Sequence, residues 1–391
     1  MIHNTIELKN IIRNLTKFTL VNGVIPSSEC IIFKKDYISA NNLQISMKIL
    51  YKTDIDLLIP ALRLLALLEQ ISDNTIDMSQ SETILHIKTL NATYKLGGTN
   101  DPELLVVEAV ENIPMEIHTF NYPLLSQFVT RKDVNIHFSH YGIESEASGK
   151  TRIIATTGHK LVVLGDTTFT HTKTVVVPPA ISIIAELLAT ETYQAGINDK
   201  TLVFTTSTTT YNIILAATKY INYASVIREN LGNHFTIHAP SIISQIKRIA
   251  KIAKNEILCL SIKDNTAILK TENLDTNIEI EETISIKCQE DLYFGFNATN
   301  MISFLSLVKD TVNVYYVDPR KALFIKSDFV LGLVMPVELP PNLLPGAVSI
   351  KGKPAKAKAK PTPAPVAESD DESDEELDDE SDNESIDDAN D

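Results

Sequence analysis

The sequence predicts an α+β protein of three repeated domains, each two helices packed on antiparallel sheets, followed by a disordered acidic tail. Three observations carry this reading. Amphipathic helix candidates recur at near-constant spacing along the chain, and short alternating strands fill the intervals between them. The composition then breaks sharply after Leu339.

The first helix candidate is LKNIIRNLTKFTL, where Leu8, Ile11, Ile12 and Leu15 share one face. The second, IPALRLLALLEQI, places Pro60 where a first helical turn tolerates a missing N–H. YPLLSQFVTRK begins a third at Tyr122, and PPAISIIAELL a fourth at Pro178. APSIISQIKRIAKIAK from Ala239 and NATNMISFLSLVK from Asn297 complete the set, with Asn297 as an expected N-cap. Starts at Leu8, Ile59, Tyr122, Pro178, Ala239 and Asn297 put alternate helices 114, 119, 117 and 119 residues apart. Between them lie ILHIKTLNATYKL, LVFTTSTTTYNIIL, EILCLSIKDNTAILKT and VNVYYVDPRKALFIK, which read as strands broken at Asn, Asp and Gly turns. Helix, strands, helix, strands, three times over, predicts repeats at 1–114, 115–233 and 234–339.

Residues 340–391 form a Lys/Ala/Pro linker and then a block of Asp, Glu and Ser. Such a segment buries too little apolar surface to offset its ordering entropy, so disorder is expected. It reads either as a solubility tail or as an electrostatic modulator that competes with DNA or recruits a basic partner. Fifteen acidic residues and five lysines there leave the body, residues 1–339, with 35 Asp/Glu against 30 Lys/Arg. The overall charge of −15 is thus mostly a property of the tail and does not exclude a nucleic-acid partner for the body. Cys30, Cys259 and Cys288 lie far apart with no CxxC pair, as expected of free thiols in a reducing compartment. No apolar run is long enough for a membrane span, and MIHNTIELKN is too polar for a signal peptide. A cytoplasmic protein without a membrane partner is expected.

The helix candidates share a one-sign charge bias. Lys9, Arg13, Lys17, Arg63, Arg131, Lys132, Lys247, Arg248, Lys251, Lys254 and Lys309 sit on or beside them, and Glu7, Glu69 and Glu186 are the main exceptions. Lys247, Lys251 and Lys254 line one face opposite Ile242, Ile246 and Ile249. A solvated helix face mixes signs, so the bias points to a phosphate backbone. The absence of aromatic residues interleaved with these cations argues against base stacking.

Catalysis finds little support. ATTGHKLVV places His159 among hydroxyls, but no G-x-S-x-G elbow or orienting carboxylate accompanies it. HFSH offers His137 and His140 without a third metal ligand, and no G-x-x-x-x-G-K-[ST] loop is present. We expect no enzymatic activity, no cofactor and no metal.

Four motifs in order resemble the bacterial sliding clamp family, the beta subunit of DNA polymerase III. ATTGHKLVV resembles its A-T-D-G-H-R-L-A, and VVVPPAISIIAELL its V-I-V-P segment and following helix. LYFGFNATNMISFLSLV resembles its I-G-F-N helix start, and VLGLVMPVEL its chain-ending V-V-M-P-M-R-L. The resemblance spans 1–339 and is weakest in the first repeat. It implies a DNA polymerase processivity factor: a head-to-tail homodimeric ring that encircles duplex DNA without reading sequence and is opened by a clamp loader.

The resemblance also implies a hydrophobic groove for peptides of polymerases, clamp loader and repair proteins. It carries over to Thr156, Gly158, His159, Lys160 and Leu161; to Ile221 and Val226 of YINYASVIREN; and to Leu333, Val334, Met335, Pro336 and Val337. Adaptable aliphatic and Met side chains suit such a groove. Where the family pattern has Asp and Arg, this chain has Thr157 and Lys160. Ile221 replaces a proline, Ala224 and Ser225 replace paired arginines, and Glu338 replaces an arginine. The alternative is a clamp-like scaffold for transcription or repair factors that does not encircle DNA.

Overall fold

A computed structural model describes residues 1–344 apart from 24, 101–110, 114, 131–132, 147, 149, 167–172, 228–231, 265, 274, 289 and 319. Arg131, Lys132 and the tail beyond 344 lie outside the described residues.

The helices form where apolar periodicity and caps agree. Helix α1 (Thr5–Thr16) starts at Asn4, whose side chain accepts a hydrogen bond from the Glu7 N–H, and it buries Leu8, Ile11, Ile12 and Leu15. Helix α2 (Ala61–Gln70) begins one residue after Pro60, which instead closes the strand Leu57–Pro60. The third candidate is cut short. Helix α3 covers only Tyr122–Leu125, and a 3-10 turn over Ser126–Phe128 ends at the extended Val129. Ser126 Oγ donates to the Pro123 carbonyl, a local bond that competes with helix propagation, and β-branched Val129 and Thr130 follow. Helix α4 (Ile136–Ser139) is a single turn that sequence periodicity missed. Helices α5 (Ile181–Leu188), α6 (Ala239–Ala253) and α7 (Ala298–Leu305) complete the set, the last capped by Asn297 as expected.

Four antiparallel sheets carry the strands, and they reveal the repeat more clearly than the helices do. An eight-stranded sheet joins strands from residues 30–60 to strands from residues 111–113 and 194–214. A nine-stranded sheet joins strands from 141–177 to strands from 233–334. Each wide sheet is two half-sheets sharing one junction. In the first, Ile45–Leu50 pairs with Thr209–Ile214; in the second, Lys160–Gly165 pairs with Val330–Val334. Two four-stranded sheets stand alone. One ends at Thr93–Gly97 and the other at Ile278–Ser285, the positions that correspond in order to the junction strands.

One continuous core lies between helices and sheets, from Leu8 and Phe18 to Phe304 and Val334. His3 is buried within its margin, its Nδ1 2.8 Å from the Tyr51 hydroxyl, while its Nε2 has no hydrogen-bond partner among the described residues. Burial lowers the His3 pKa and pushes the Tyr51 hydroxyl up to about 12. Because the unfolded imidazole binds protons more readily than the folded one, stability is present near neutrality and declines as pH falls below about 6.5. His140, also lowered by burial, acts in the same direction. Denaturant titrations across this window are expected to show a shallower pH slope for His3→Gln than for the wild type. An identical slope would remove His3 from the explanation.

Candidate functional site

The candidate groove lies on the face of the nine-stranded sheet that turns away from the helices. Successive strand residues point to opposite faces. Along 151–156 and 160–165 this sends Ile153, Ala155, Val162 and Leu164 into the main core. Ile154, Leu161 and Val163 go to the other face, where they join Tyr223, Phe324, Leu331 and Leu333 in a separate apolar cluster. Tyr220, Ile221, Ile227 and Tyr315 pack against it. The register sets Leu161 opposite both Thr156 and Leu333, so the floor is laid across the junction itself.

The turn at 156–160 closes one end. Thr156 Oγ1 accepts from the Gly158 N–H at 3.0 Å and donates to the Lys160 carbonyl at 2.9 Å. Gly158 has φ +83°, which favours glycine, and a Cβ there would stand 3.2 Å from the Phe138 ring, a tight approach. His159 is exposed, and its carbonyl accepts from the Met335 N–H at 2.8 Å, which ties the turn to the end of the strand Val330–Val334. Met335 is 38% exposed and Val226, on the 3-10 turn Tyr223–Val226, is 51% exposed. Thr156, Gly158, His159, Leu161, Leu333 and Met335 are thus brought together, and the segment bearing Ile221 and Val226 lies on the same sheet face.

Four expected groove residues point elsewhere. Lys160 and Val334 alternate onto the helix side. Lys160 is 5% exposed; its Nζ donates to Ser303 Oγ of α7 at 3.0 Å and lies 5.4 Å from the centre of the Phe128 ring. Val337 donates its N–H to the Gly295 carbonyl and, with Pro336 and Glu338, lines a separate pocket of about 620 Å³ beside Tyr293 and Arg320.

The buried amine has a cost. Burial pushes the Lys160 pKa down to about 8, well below the value near 10.4 of the unfolded chain. The unfolded state therefore binds more protons between those values. Stability rises with pH across that interval, and the full penalty applies below it. Lys160→Met keeps the stem and sheds the charge, while Ser303 retains its own bond to the Thr299 carbonyl. We expect the variant to gain about 1–3 kcal/mol at pH 7 and to lose the alkaline rise. Denaturant unfolding at pH 7 and 10 checks it; a destabilised variant would refute it.

Sequence reasoning missed the polar side of this face. Glu144 and Arg152 are register partners in a hairpin, and Tyr223 donates to the Glu144 carboxylate at 2.7 Å. The Tyr220/Tyr223 spacing was visible in YINYASVIREN, but the hairpin register was not.

The expected DNA-facing cations divide in two. Arg13 pairs with Glu69 and Lys17 with Glu186, each at 3.2 Å, and Arg248 holds Glu282 through two bonds. Lys9 is half-buried and donates to the Ile71 carbonyl. Arg63, Lys247, Lys251, Lys254 and Lys309 are exposed and, among the described residues, form no ion pair. Exposed pairs contribute about 0–1 kcal/mol each, so the paired cations can also turn to a phosphate at small cost. All three cysteines are buried and, among the described residues, none forms a disulfide; burial raises the Cys30 and Cys259 thiols, the latter to about 11.

Comparison with solved structures decides what this arrangement is. A putative DNA polymerase III beta subunit from Eubacterium rectale superposes with a TM-score of 0.77 at 20% identity, covering 86% of this chain and 99% of that one. The chain has the sliding-clamp fold. The DNA polymerase III subunit beta of Pseudomonas aeruginosa matches at TM-score 0.77 and 17% identity over 87% of this chain and 100% of that one. The Helicobacter pylori beta clamp, solved bound to a DNA ligase peptide, matches at TM-score 0.71 and 13% identity over 86% and 99%. No protein-family model and no curated relative matches the sequence. Identity this low leaves sliding-clamp architecture intact because the junction strands and core positions are set by alternation and volume rather than by particular residues. Among the described residues, no helix of this sliding-clamp fold is long and apolar enough to cross a membrane.

Proposed function

We propose that the protein is a non-catalytic processivity factor. Two copies close head to tail around duplex DNA, and the groove at the 160–165/330–334 junction tethers a polymerase and other partners. A clamp loader, supplying ATP hydrolysis that this chain lacks a motif for, would open the ring. The repeats are 1–114, 115–233 and 234–339. The observation that carries this reading is the missing third junction. Two junctions are made within the chain, while Thr93–Gly97 and Ile278–Ser285 occupy the corresponding positions at sheet edges and, among the described residues, pair on one side only. An open edge of this kind is a template for a second chain. Because the two edges differ, joining them is heterologous and must close into a ring or run on as a filament.

Tyr94 and Lys95 are exposed on the first edge strand, with Ile84 on the strand beside it; Glu279 and Glu281 are exposed on the second, where both pair with Lys270, with Ile268 on the strand beside it. Duplex phosphates then meet Arg63, Lys247, Lys251 and Lys254 without base readout, and weak screened contacts permit sliding. The DNA ligase peptide on the Helicobacter pylori clamp supports the tethering role of the groove.

Light scattering of the full chain at micromolar concentration tests the ring, with a mass twice 43.3 kDa expected. A monomer would leave the scaffold reading, in which partners are gathered without enclosing DNA. An array of short peptides carrying Leu and Phe anchors tests the groove, and a lack of binding across the array counts against it.

A further inference from the structure

The segment Thr218–Ile227 forms the groove wall, yet its main-chain hydrogen bonds among the described residues are local. Thr218 bonds to Ala216, Tyr223 to Ile221, Ser225 to Asn222 and Ile227 to Ala224. Two tyrosines reach the sheet instead. Tyr220 lies flat over Gly142, where a Cβ would come within 2.7 Å of its ring, and its hydroxyl is 3.4 Å from the carbonyls of His137, His140 and Ile154. Tyr223 makes the stronger contact, donating at 2.7 Å to Glu144 Oε2. That carboxylate is 3% exposed. It also accepts from Arg152 Nε at 2.5 Å and from Thr174 Oγ1 at 3.4 Å, and the Arg152 guanidinium lies 5.9 Å from the centre of the Tyr223 ring.

A buried carboxylate is tolerated only when it is paired and hydrogen-bonded. Arg152 balances the Glu144 charge, and the same carboxylate accepts the Tyr223 hydroxyl of the wall. Bonds to an ionised acceptor are stronger than neutral ones. We propose that Glu144, held by Arg152, is a positioning residue for partner binding: through the Tyr223 hydroxyl it clamps the turn that carries Val226, with Ile221 just before it, in the peptide-ready position. The proposal rests on the groove reading above. Its thermodynamic form is simple. When only a fraction of molecules has the wall docked, apparent affinity falls by that fraction. Undocking slows association and leaves dissociation of the bound peptide unchanged.

Tyr223→Phe removes the hydroxyl and keeps the ring in its apolar cluster, so the fold is retained. The measurements are amide hydrogen exchange over Tyr223–Ile227 and the binding kinetics of the tightest array peptide on the full chain. We expect the docked-to-undocked ratio of the wall to fall about tenfold, the equivalent of about 1.4 kcal/mol for one lost charge-assisted bond; exchange at Ser225 and Ile227 rises with the undocked fraction and the association rate falls with the docked fraction. Glu144→Gln leaves the Arg152 guanidinium without its counter-charge and should loosen the wall at least as far as Tyr223→Phe. Unchanged exchange overturns the clamp, and so does a change confined to the dissociation rate, which would mean that the hydroxyl touches the peptide itself. A wild-type chain that binds no array peptide removes the groove, and the inference with it.

Discussion

Tyr94→Asp is expected to leave the chain folded and to convert a two-chain particle into a 43.3 kDa monomer. Tyr94 is 37% exposed on the edge strand Thr93–Gly97, so its loss disturbs little within the chain. The proposed partner strand, Ile278–Ser285, carries Glu279, Glu281 and Glu282. Glu279 and Glu281 pair with Lys270 and Glu282 with Arg248, so the substitution acts by removing an aromatic side chain of the kind that anchors interfaces and by placing an unpaired carboxylate where it would be buried. Truncating such an anchor costs about 2–4 kcal/mol, or roughly 30- to 1,000-fold in dissociation constant. Retention on circular DNA should be lost in parallel, because in the proposed ring it is topological enclosure and not phosphate contact that holds the protein in place. A variant that stayed dimeric would place the chain-to-chain contact on another surface. One that became monomeric yet held circular DNA would refute enclosure.

How far the sequence revealed this architecture depends on which force set each feature. Helices α1 and α6 were legible because their buried residues, Leu8 to Leu15 and Ile242 to Ile249, repeat at helical period with little competition. The third candidate misled because Tyr122, Leu125 and Phe128 keep that period while the backbone shortens into a 3-10 turn. Periodicity cannot distinguish the two at this length. The candidate groove face was legible in part. Resemblance marked the turn at 156–160 and the strand end at 333–335, but it assigned neighbouring residues together, and alternation separates them. Leu161 lies in the groove cluster and Lys160 in the interior; Leu333 and Val334 divide in the same way. Glu144 was invisible because its role depends on pairing with Arg152 across a hairpin and with Tyr223 at a separation of 79 residues. The one-sign helix bias was legible as composition, yet its partial neutralisation by Glu69, Glu186 and Glu282 is a tertiary fact.

Met335→Lys is expected to abolish binding of the array peptides while leaving mass and thermal unfolding unchanged. Met335 follows the junction strand, fixed by its N–H bond to the His159 carbonyl, and its half-exposed side chain requires no repacking when it is replaced. The neighbouring floor is Leu161, Leu333, Ile154 and Tyr223, an apolar cluster. A lysine ammonium held beside it by an incoming apolar anchor would lose water without gaining a partner, a desolvation that peptide contacts cannot offset. Snorkelling toward solvent would relieve the charge but lay the stem across the groove. Either route removes an adaptable thioether contact and blocks a pocket, for a loss of about 2–4 kcal/mol and at least roughly thirtyfold in affinity. The kinetic signature differs from that of Tyr223→Phe, because a damaged contact surface raises the dissociation rate while a loosened wall lowers the association rate. Unchanged affinity in Met335→Lys, with peptide still bound, would move the tether away from the 156–161 and 333–335 face altogether.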